Sequence, residues 1–181
     1  MLLFIFIILF ARAVSGEWMF QSEKKWDKEW SSGAWEYMEK VAVERSRIAV
    51  IGGVFSHMYA PSNASVLDIG CGEGAISDFL KESQRSHYVG VDISKEAIMV
   101  AKSRRKSPMK FVHASLYTFQ PMHKFDVIVF SDVLYYVEHE KVLQQYSKDL
   151  NPNGTIFKIF FKFIYVLILP SFFIPLSSFK K

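Results

Sequence analysis

Val66-Leu67-Asp68-Ile69-Gly70-Cys71-Gly72-Glu73-Gly74 is the stretch on which the reading of this chain turns. An apolar strand carrying one acid runs into a glycine-rich turn. The residues after it, Ala75-Ile76-Ser77-Asp78-Phe79-Leu80, read as an amphipathic helix. A strand ending in such a turn presents bare backbone to a ligand, because glycine allows close approach and positive φ. The helix start adds unpaired N–H groups and a positive dipole end. A second apolar run, Tyr88-Val89-Gly90-Val91, ends on Asp92. An acid there, about 20 residues past the turn, is placed to hold the two hydroxyls of a ribose. The expected ligand is therefore a nucleoside-bearing cofactor.

The rest of the chain fits that frame. Apolar runs predict strands over 65–69, 88–92, 109–113, 125–131 and 154–160. Helical patterns predict helices over 75–84, 95–105 and 138–149. Ser94 reads as the N-cap of the second of these, with Glu96 in its first turn. Such alternation implies βαβ crossovers and an α/β, doubly wound, mostly parallel sheet with helices on both faces. Ligands bind such sheets beyond the carboxyl ends of the strands. Gly70, Asp92, Ser115, Ser131 and Asp132 all fall at those ends. Upstream, 34–44 is predicted helical. Ile48, Ile51, Phe55 and Met58 predict a second helix to about residue 59, despite Gly52-Gly53.

Two cofactors suit the turn. Gly70-x-Gly72-x-x-Ala75 fits the dinucleotide fingerprint, which keeps an NAD-dependent oxidoreductase open. Asp68 counts against it, because a carboxylate two residues before the first glycine repels a pyrophosphate. So does position, since dinucleotide fingerprints usually open their domain and this one starts only after residue 65. S-adenosylmethionine has no phosphate. It has an ammonium and a sulfonium, and both welcome a carboxylate. The sequence here resembles the class I S-adenosylmethionine-dependent methyltransferases, whose first motif has the form V-L-D-x-G-C-G-x-G. The resemblance runs roughly over 26–160. It includes Asp92 and the segment Phe125-Asp126-Val127-Ile128-Val129-Phe130-Ser131-Asp132-Val133-Leu134-Tyr135-Tyr136, similar to the family's fourth strand and the motif after it.

The resemblance implies a Rossmann-like methyltransferase fold, S-adenosyl-L-methionine as cofactor and methyl transfer to a small molecule. Cofactor contacts fall on Asp68, Gly70, Cys71, Gly72, Gly74, Asp92, Ile93, Ser115, Leu116 and Ser131. Family members commonly carry an acid after the third strand, near the adenine amino group. This chain has His113-Ala114-Ser115-Leu116, which leaves an uncharged hydroxyl and the Leu116 N–H for the ring. Methyl transfer asks mainly for geometry and exclusion of water. A base is needed only where the acceptor is protonated at working pH. Asp132, Tyr135, Tyr136 and His139 are the candidates, with the two tyrosines resembling an acceptor-pocket wall. The Trp-rich segment before the motif, within lid helices 23–59, resembles the element that closes over cofactor and acceptor. No histidine spacing suits a metal, and none is expected.

Composition bounds the remaining choices. A chain of 181 residues, half of them hydrophobic, supports one folded domain. The net charge of +4 rests partly on Lys102-Ser103-Arg104-Arg105-Lys106, expected to cap the negative end of a helix. No second basic patch joins it, so nucleic acid is not an expected partner. Single Cys71 excludes an internal disulfide.

The ends differ from the middle. Residues 2–10 are unbroken apolar, and Ala11-Arg12-Ala13-Val14-Ser15-Gly16 follows, resembling a secretory signal over 1–16 without a basic start. A secretory or extracellular location follows if the signal is genuine, and a cytoplasmic one otherwise. The domain is expected over 17–160. Residues 161–181 form a hydrophobic tail broken by Pro170 and Pro175, read as a truncated or altered chain end in preference to a membrane-associating segment, and expected to leave the sheet incomplete. An inactive cofactor-binding remnant is therefore a second reading beside the enzyme.

Overall fold

The computed structural model describes residues 22–58, 63–105, 108–159 and 169–170. Among the described residues three helices come first: α1 (Glu23–Ser31), α2 (Tyr37–Lys40) and α3 (Ala42–Met58). The sheet follows as β1 (Val66–Ile69), β2 (Tyr88–Asp92), β3 (Lys110–His113), β4 (Phe125–Ser131), β5 (Leu150–Ile159) and β6 (Leu169–Pro170). Between strands lie α4 (Glu82–Arg85), α5 (Lys95–Arg104) and α6 (His139–Ser147), with 3-10 turns at Ala75–Phe79 and Leu134–Tyr136.

The strand order is β3-β2-β1-β4-β5-β6. The first five strands are parallel, with Val66 opposite Tyr88 on one side and Val127 on the other. β6 pairs antiparallel with β5 through Thr155–Pro170 and Ile156–Leu169. The expected doubly wound sheet is therefore present. The tail touches its edge through two residues, and the rest of 161–181 lies outside the described residues, as does the signal-like segment 1–16. No helix among the described residues is long and apolar enough to cross a membrane. The order reverses between β1 and β4, and that opens a crevice at their carboxyl ends.

Both faces of the sheet are buried, which is why its central strands are nearly all apolar. All four residues of β1 are buried. One face packs Val66, Val127, Val129 and Phe157 against Ile48, Ile51 and Phe55 of α3, with Phe55 and Phe157 rings 4.5 Å apart. The other packs Leu67, Ile69, Ile128 and Phe130 against Val142 and Tyr146 of α6. Lys158, half-buried on β5, has its ammonium held below its ordinary range by that burial.

Three local expectations need correction. The helix predicted over 75–84 is a 3-10 turn, then a break at Leu80 and Lys81, then the four-residue α4. The helix predicted over 34–44 breaks at Val41, whose extended backbone (φ −90°, ψ 122°) separates α2 from α3. The cluster at 102–106 does more than answer a helix dipole. Arg104 pairs with Glu39 and Glu73, and Arg105 with Glu39 and Asp78. These guanidiniums join α5 to α2 and to the glycine turn. Ser94 does cap α5, accepting from the Ala97 N–H at 3.2 Å.

Gly52-Gly53 lies inside α3 for an asymmetric reason. A Cβ at Gly52 would stand 2.0 Å from Phe79 Cβ, whereas one at Gly53 would meet nothing within 4 Å. Gly52 lets the 3-10 turn lie against the helix. Opposite effects are expected. Gly53→Ala should stabilise the protein by about 0.5–1 kcal/mol through helix propensity, and Gly52→Ala should destabilise it by about 1–3 kcal/mol through overpacking. Urea unfolding of the two variants checks the signs.

Candidate functional site

A cavity of about 200 Å³ sits at the crevice. Its floor is the turn after β1, where Gly70, Gly72 and Gly74 all have left-handed backbone. Gly72 is the position where this matters for access. A Cβ there would lie 3.0 Å from Trp30 Cζ2 on α1, so the bare backbone sets the gap between floor and roof. The floor is pinned from below. Asp92 Oδ2 accepts the Gly72 N–H at 2.8 Å, and Asp92 Oδ1 accepts the Ser94 N–H at 2.8 Å. Burial raises this carboxyl above its ordinary range, although the two N–H groups pull it down.

Asp68 lies beneath the turn and is 1% exposed. Its Oδ2 accepts from Tyr88 Oη at 2.7 Å, while Oδ1 is buried with no partner among the described residues. Burial pushes the carboxyl up to about 7, against the pull of the Tyr88 hydroxyl. Glu73, on the same turn, is also pushed up to about 7 by burial and by Glu39 beside it, with Arg104 and Arg105 opposing. At neutral pH each is divided between its two forms, and an added positive charge favours the ionised one.

The roof comes from the N-terminal helices. Trp26, Trp30, Trp35, Met38 and Ile48 line the cavity. Trp26 stands edge-on to Tyr136, with centroids 4.8 Å apart. Trp35 Nε1 is buried without a partner among the described residues, a donor suited to a ligand oxygen. Two polar contacts fix the roof. Asp27 of α1 reaches the start of α5, accepting from Ser94 Oγ at 2.7 Å and from the Glu96 N–H at 3.3 Å. Burial opposes its charge, but these donors outweigh that and hold it below its ordinary value of 3.8. Arg47 of α3 pairs with Asp132 at 2.6 Å and with Glu44 at 3.1 Å.

The structure gathers most of the sequence candidates. Asp68, Gly70, Cys71, Gly72, Asp92, Ile93, Ser115, Leu116 and Ser131 line the cavity, as do Asp132 and Tyr136. Leu116 is held through its carbonyl, which accepts from Tyr146 Oη at 2.8 Å and Gln145 Nε2 at 3.2 Å. Three candidates lie elsewhere. Gly74 is outside the lining, backed against the Phe111 ring. Tyr135 packs edge-on to Tyr136 at 6.0 Å and does not line the cavity. His139 opens α6 and is exposed. The 3-10 turn at Leu134–Tyr136 explains both, since it directs Tyr136 inward and carries the chain away from the crevice. Asp132 does line it, yet its bond to a guanidinium makes it a poor proton acceptor. Cys71 is inert, because burial pushes its thiol up beyond its ordinary range.

Asp27 and Arg47 are site residues that motif spacing does not reveal, whereas Glu73 lies in the glycine motif itself and the tryptophans in the segment read as a lid. The first two lie outside any repeat of the glycine pattern and meet it only through folding.

A parallel sheet with a glycine turn, a buried acid below it and an acid closing β2 defines an α/β nucleoside-binding domain. The chain belongs to the methyltransferase domain family, whose pattern matches residues 60–159, more than half of its length. It is 34% identical over 96 residues to phosphoethanolamine N-methyltransferase 1 of Zea mays, covering 50% of this chain and 19% of that one. It is 34% identical over 99 residues to the ubiquinone biosynthesis O-methyltransferase of Pelagibacter ubique, covering 52% and 41%. Among solved structures, N-methyltransferase NodS from Bradyrhizobium japonicum WM9, in complex with S-adenosyl-L-homocysteine, superposes with TM-score 0.56 at 26% identity. That match covers 67% of this chain and 63% of NodS. The plantazolicin methyltransferase BpumL shares the fold at TM-score 0.58 and 19% identity, covering 75% and 57%. The chain thus spans between 19% and 52% of the length of the curated relatives it matches.

Asp27 gives a test of the roof. Asp27→Ala should lower stability by about 0.5–2 kcal/mol, the usual worth of a side-chain acceptor at a helix start. Its carboxyl is depressed on folding, so its contribution is present above about pH 4 and lost as pH falls through the folded value. Urea titrations at pH 7 and pH 3.5 should show the difference between variant and parent shrinking on acidification.

Proposed function

We propose that this chain binds S-adenosylmethionine in the crevice and transfers its methyl group to a small-molecule acceptor. The observation that carries the reading is Asp68 Oδ1, a buried carboxylate oxygen on the cavity lining with no partner among the described residues. An orphaned buried acceptor is costly unless a donor arrives. A phosphate-bearing dinucleotide offers the wrong charge there. The bare backbone of Gly72 under Trp30 suits close approach of the same ligand. When bound, the cofactor supplies a methyl carbon already activated by a sulfonium.

The residues then divide the work. Asp68 balances the ligand's positive charge. Asp92 offers the lone pairs its two backbone donors leave over to the ribose hydroxyls. Ile93 flanks that corner, with its carbonyl bonded to His113 Nε2 at 3.0 Å. Ser115 and the Leu116 N–H serve the adenine ring. The three tryptophans exclude water over the reacting centre, and Tyr136 bounds the acceptor space. Asp132 holds Arg47, and through it α3, in the closed position. The apolar run 2–10 with its small-residue exit is read as a secretory signal. N-terminal sequencing of secreted protein tests it, and a retained Met1 overturns it.

Calorimetry with S-adenosylhomocysteine, NAD and NADP tests the main reading. Binding of the first alone supports it, and binding of NAD alone overturns it. Asp92→Ala should lose at least about tenfold in S-adenosylhomocysteine affinity per folded molecule, since hydrogen bonds to a charged group contribute about 1.5–3 kcal/mol each.

Asp68 adds a pH signature. An acid raised on folding contributes stability that is present below about pH 4 and lost as pH rises through about 7. A cationic ligand does the reverse and favours the ionised form. Affinity for S-adenosylhomocysteine should therefore increase from pH 5.5 to 8, with proton release near pH 7. Asp68→Asn should weaken binding and flatten that dependence.

A further inference from the structure

We propose that the acceptor taken by this cavity is a small amine, recognised as a cation by an aromatic and acidic wall and methylated on nitrogen. This rests on the cofactor reading above and goes beyond it by naming the substrate class.

The wall has two components. Trp26, Trp30, Trp35 and Tyr136 line the cavity, with Trp26 placed 4.8 Å from Tyr136 and 5.9 Å from Trp35. Aromatic faces attract cations, most strongly where water is excluded. Four carboxyl groups share the same lining, from Asp68, Glu73, Asp92 and Asp132. Among the described residues, no Lys, Arg or His side chain lines it. Behind the lining, the Arg47 guanidinium is turned to Asp132 and Glu44, and that of Arg104 to Glu73 and Glu39. The negative field reaches the acceptor end. Glu29 and Asp132 both act on the Tyr136 hydroxyl, which burial first and these charges second hold well above its ordinary range. Tyr136 therefore stays neutral and offers a ring and a hydroxyl rather than a base.

This field separates nitrogen from oxygen acceptors. The bound ammonium first gives up one proton to solvent, and the neutral amine then uses its lone pair to form the N–C bond while the S–C bond breaks and its pair stays on sulfur. One positive charge moves from sulfur to nitrogen, and the surplus proton on nitrogen leaves to solvent. The charge remains positive throughout, among carboxylates and ring faces that favour it. A phenol or carboxylic acid must react as its anion. The carboxyl groups of Asp68 and Asp92 on the same lining disfavour that anion, whereas Asp132 and Glu73 are each answered by a guanidinium. An acceptor carrying a phosphate meets the same repulsion.

The test uses the full chain, with choline and its neutral isostere 3,3-dimethylbutan-1-ol as probes. S-adenosylhomocysteine is titrated first, and each probe is titrated with and without it by calorimetry. Choline should bind at least about tenfold more tightly than the isostere. Trp26→Leu should remove most of that preference, and Trp26→Tyr should keep part of it, which separates a lost ring face from a disturbed fold. In turnover, mass spectrometry should find N-methyl products from a set of small amines and none from catechol. Equal affinity for the two probes, or O-methylation of catechol in preference to the amines, overturns the proposal. The two readings fail separately. If S-adenosylhomocysteine binds and choline shows no preference, the amine assignment falls alone. If choline is preferred and S-adenosylhomocysteine does not bind, cation recognition stands and the cofactor reading falls.

Discussion

The crevice depends on one carboxylate that receives two backbone donors. Asp92 accepts the N–H of Gly72 from the turn after β1 and the N–H of Ser94 from the start of α5. Without that acid, two buried N–H groups at the ends of neighbouring strands would lack a partner and the turn would be free to reshape. With it, the glycine turn, the tip of β2 and the first turn of α5 become one rigid corner. The corner exists only because β1 and β2 are adjacent and parallel in register, Ile69 opposite Val91. Apolar strands thus position a polar site, and the site's precision is inherited from sheet packing.

The roof is built onto the same corner. Ser94 caps α5 and donates its hydroxyl to Asp27, so α1 is tied to the residue that also completes the floor. Arg47 and Asp132 make a second tie on the opposite side of the sheet's switch point. Arg104 and Arg105 supply a third, joining Glu39 of α2 to Glu73 of the turn. None of these ties belongs to the backbone ladder of a helix or a strand. They are charge-assisted bonds, stronger than neutral ones and directional. A cavity between a rigid floor and a roof held at three polar points can exclude water while still admitting a ligand.

Burial pushes up the carboxyl groups of Asp68 and Glu73 on the lining, and this gives the cavity its character. Asp68 and Glu73 are each pushed up to about 7. Their desolvation is a cost in the free protein that a cation relieves. The same arrangement is what the proposed sulfonium cofactor and the proposed amine acceptor have in common. One electrostatic feature serves both ligands.

Much of this was legible before folding was considered. The strand runs, the glycine turn, Asp92 and the Ser94 cap are local signals, and each sits where its pattern places it. Residues 125–131 form β4 as read, because a seven-residue run with five apolar residues between turn signals has few other uses. Where local reading failed, neighbours decided. Ile76 to Leu80 carry a helical pattern, yet Gly52 draws Phe79 against α3 and the segment closes as a 3-10 turn. Tyr135 and Tyr136 are equivalent in sequence, and only the turn after β4 sends one of them inward. Arg47 and Asp27 carry no motif, because a partner 85 or 67 residues away leaves no periodic trace. The sequence by itself determined the sheet, the family and the cofactor corner, since these follow from periodicity and from short-range backbone needs. Tertiary structure alone decided which charges meet and which aromatic rings enclose the acceptor space, because those contacts join elements whose spacing in the chain says nothing of their distance.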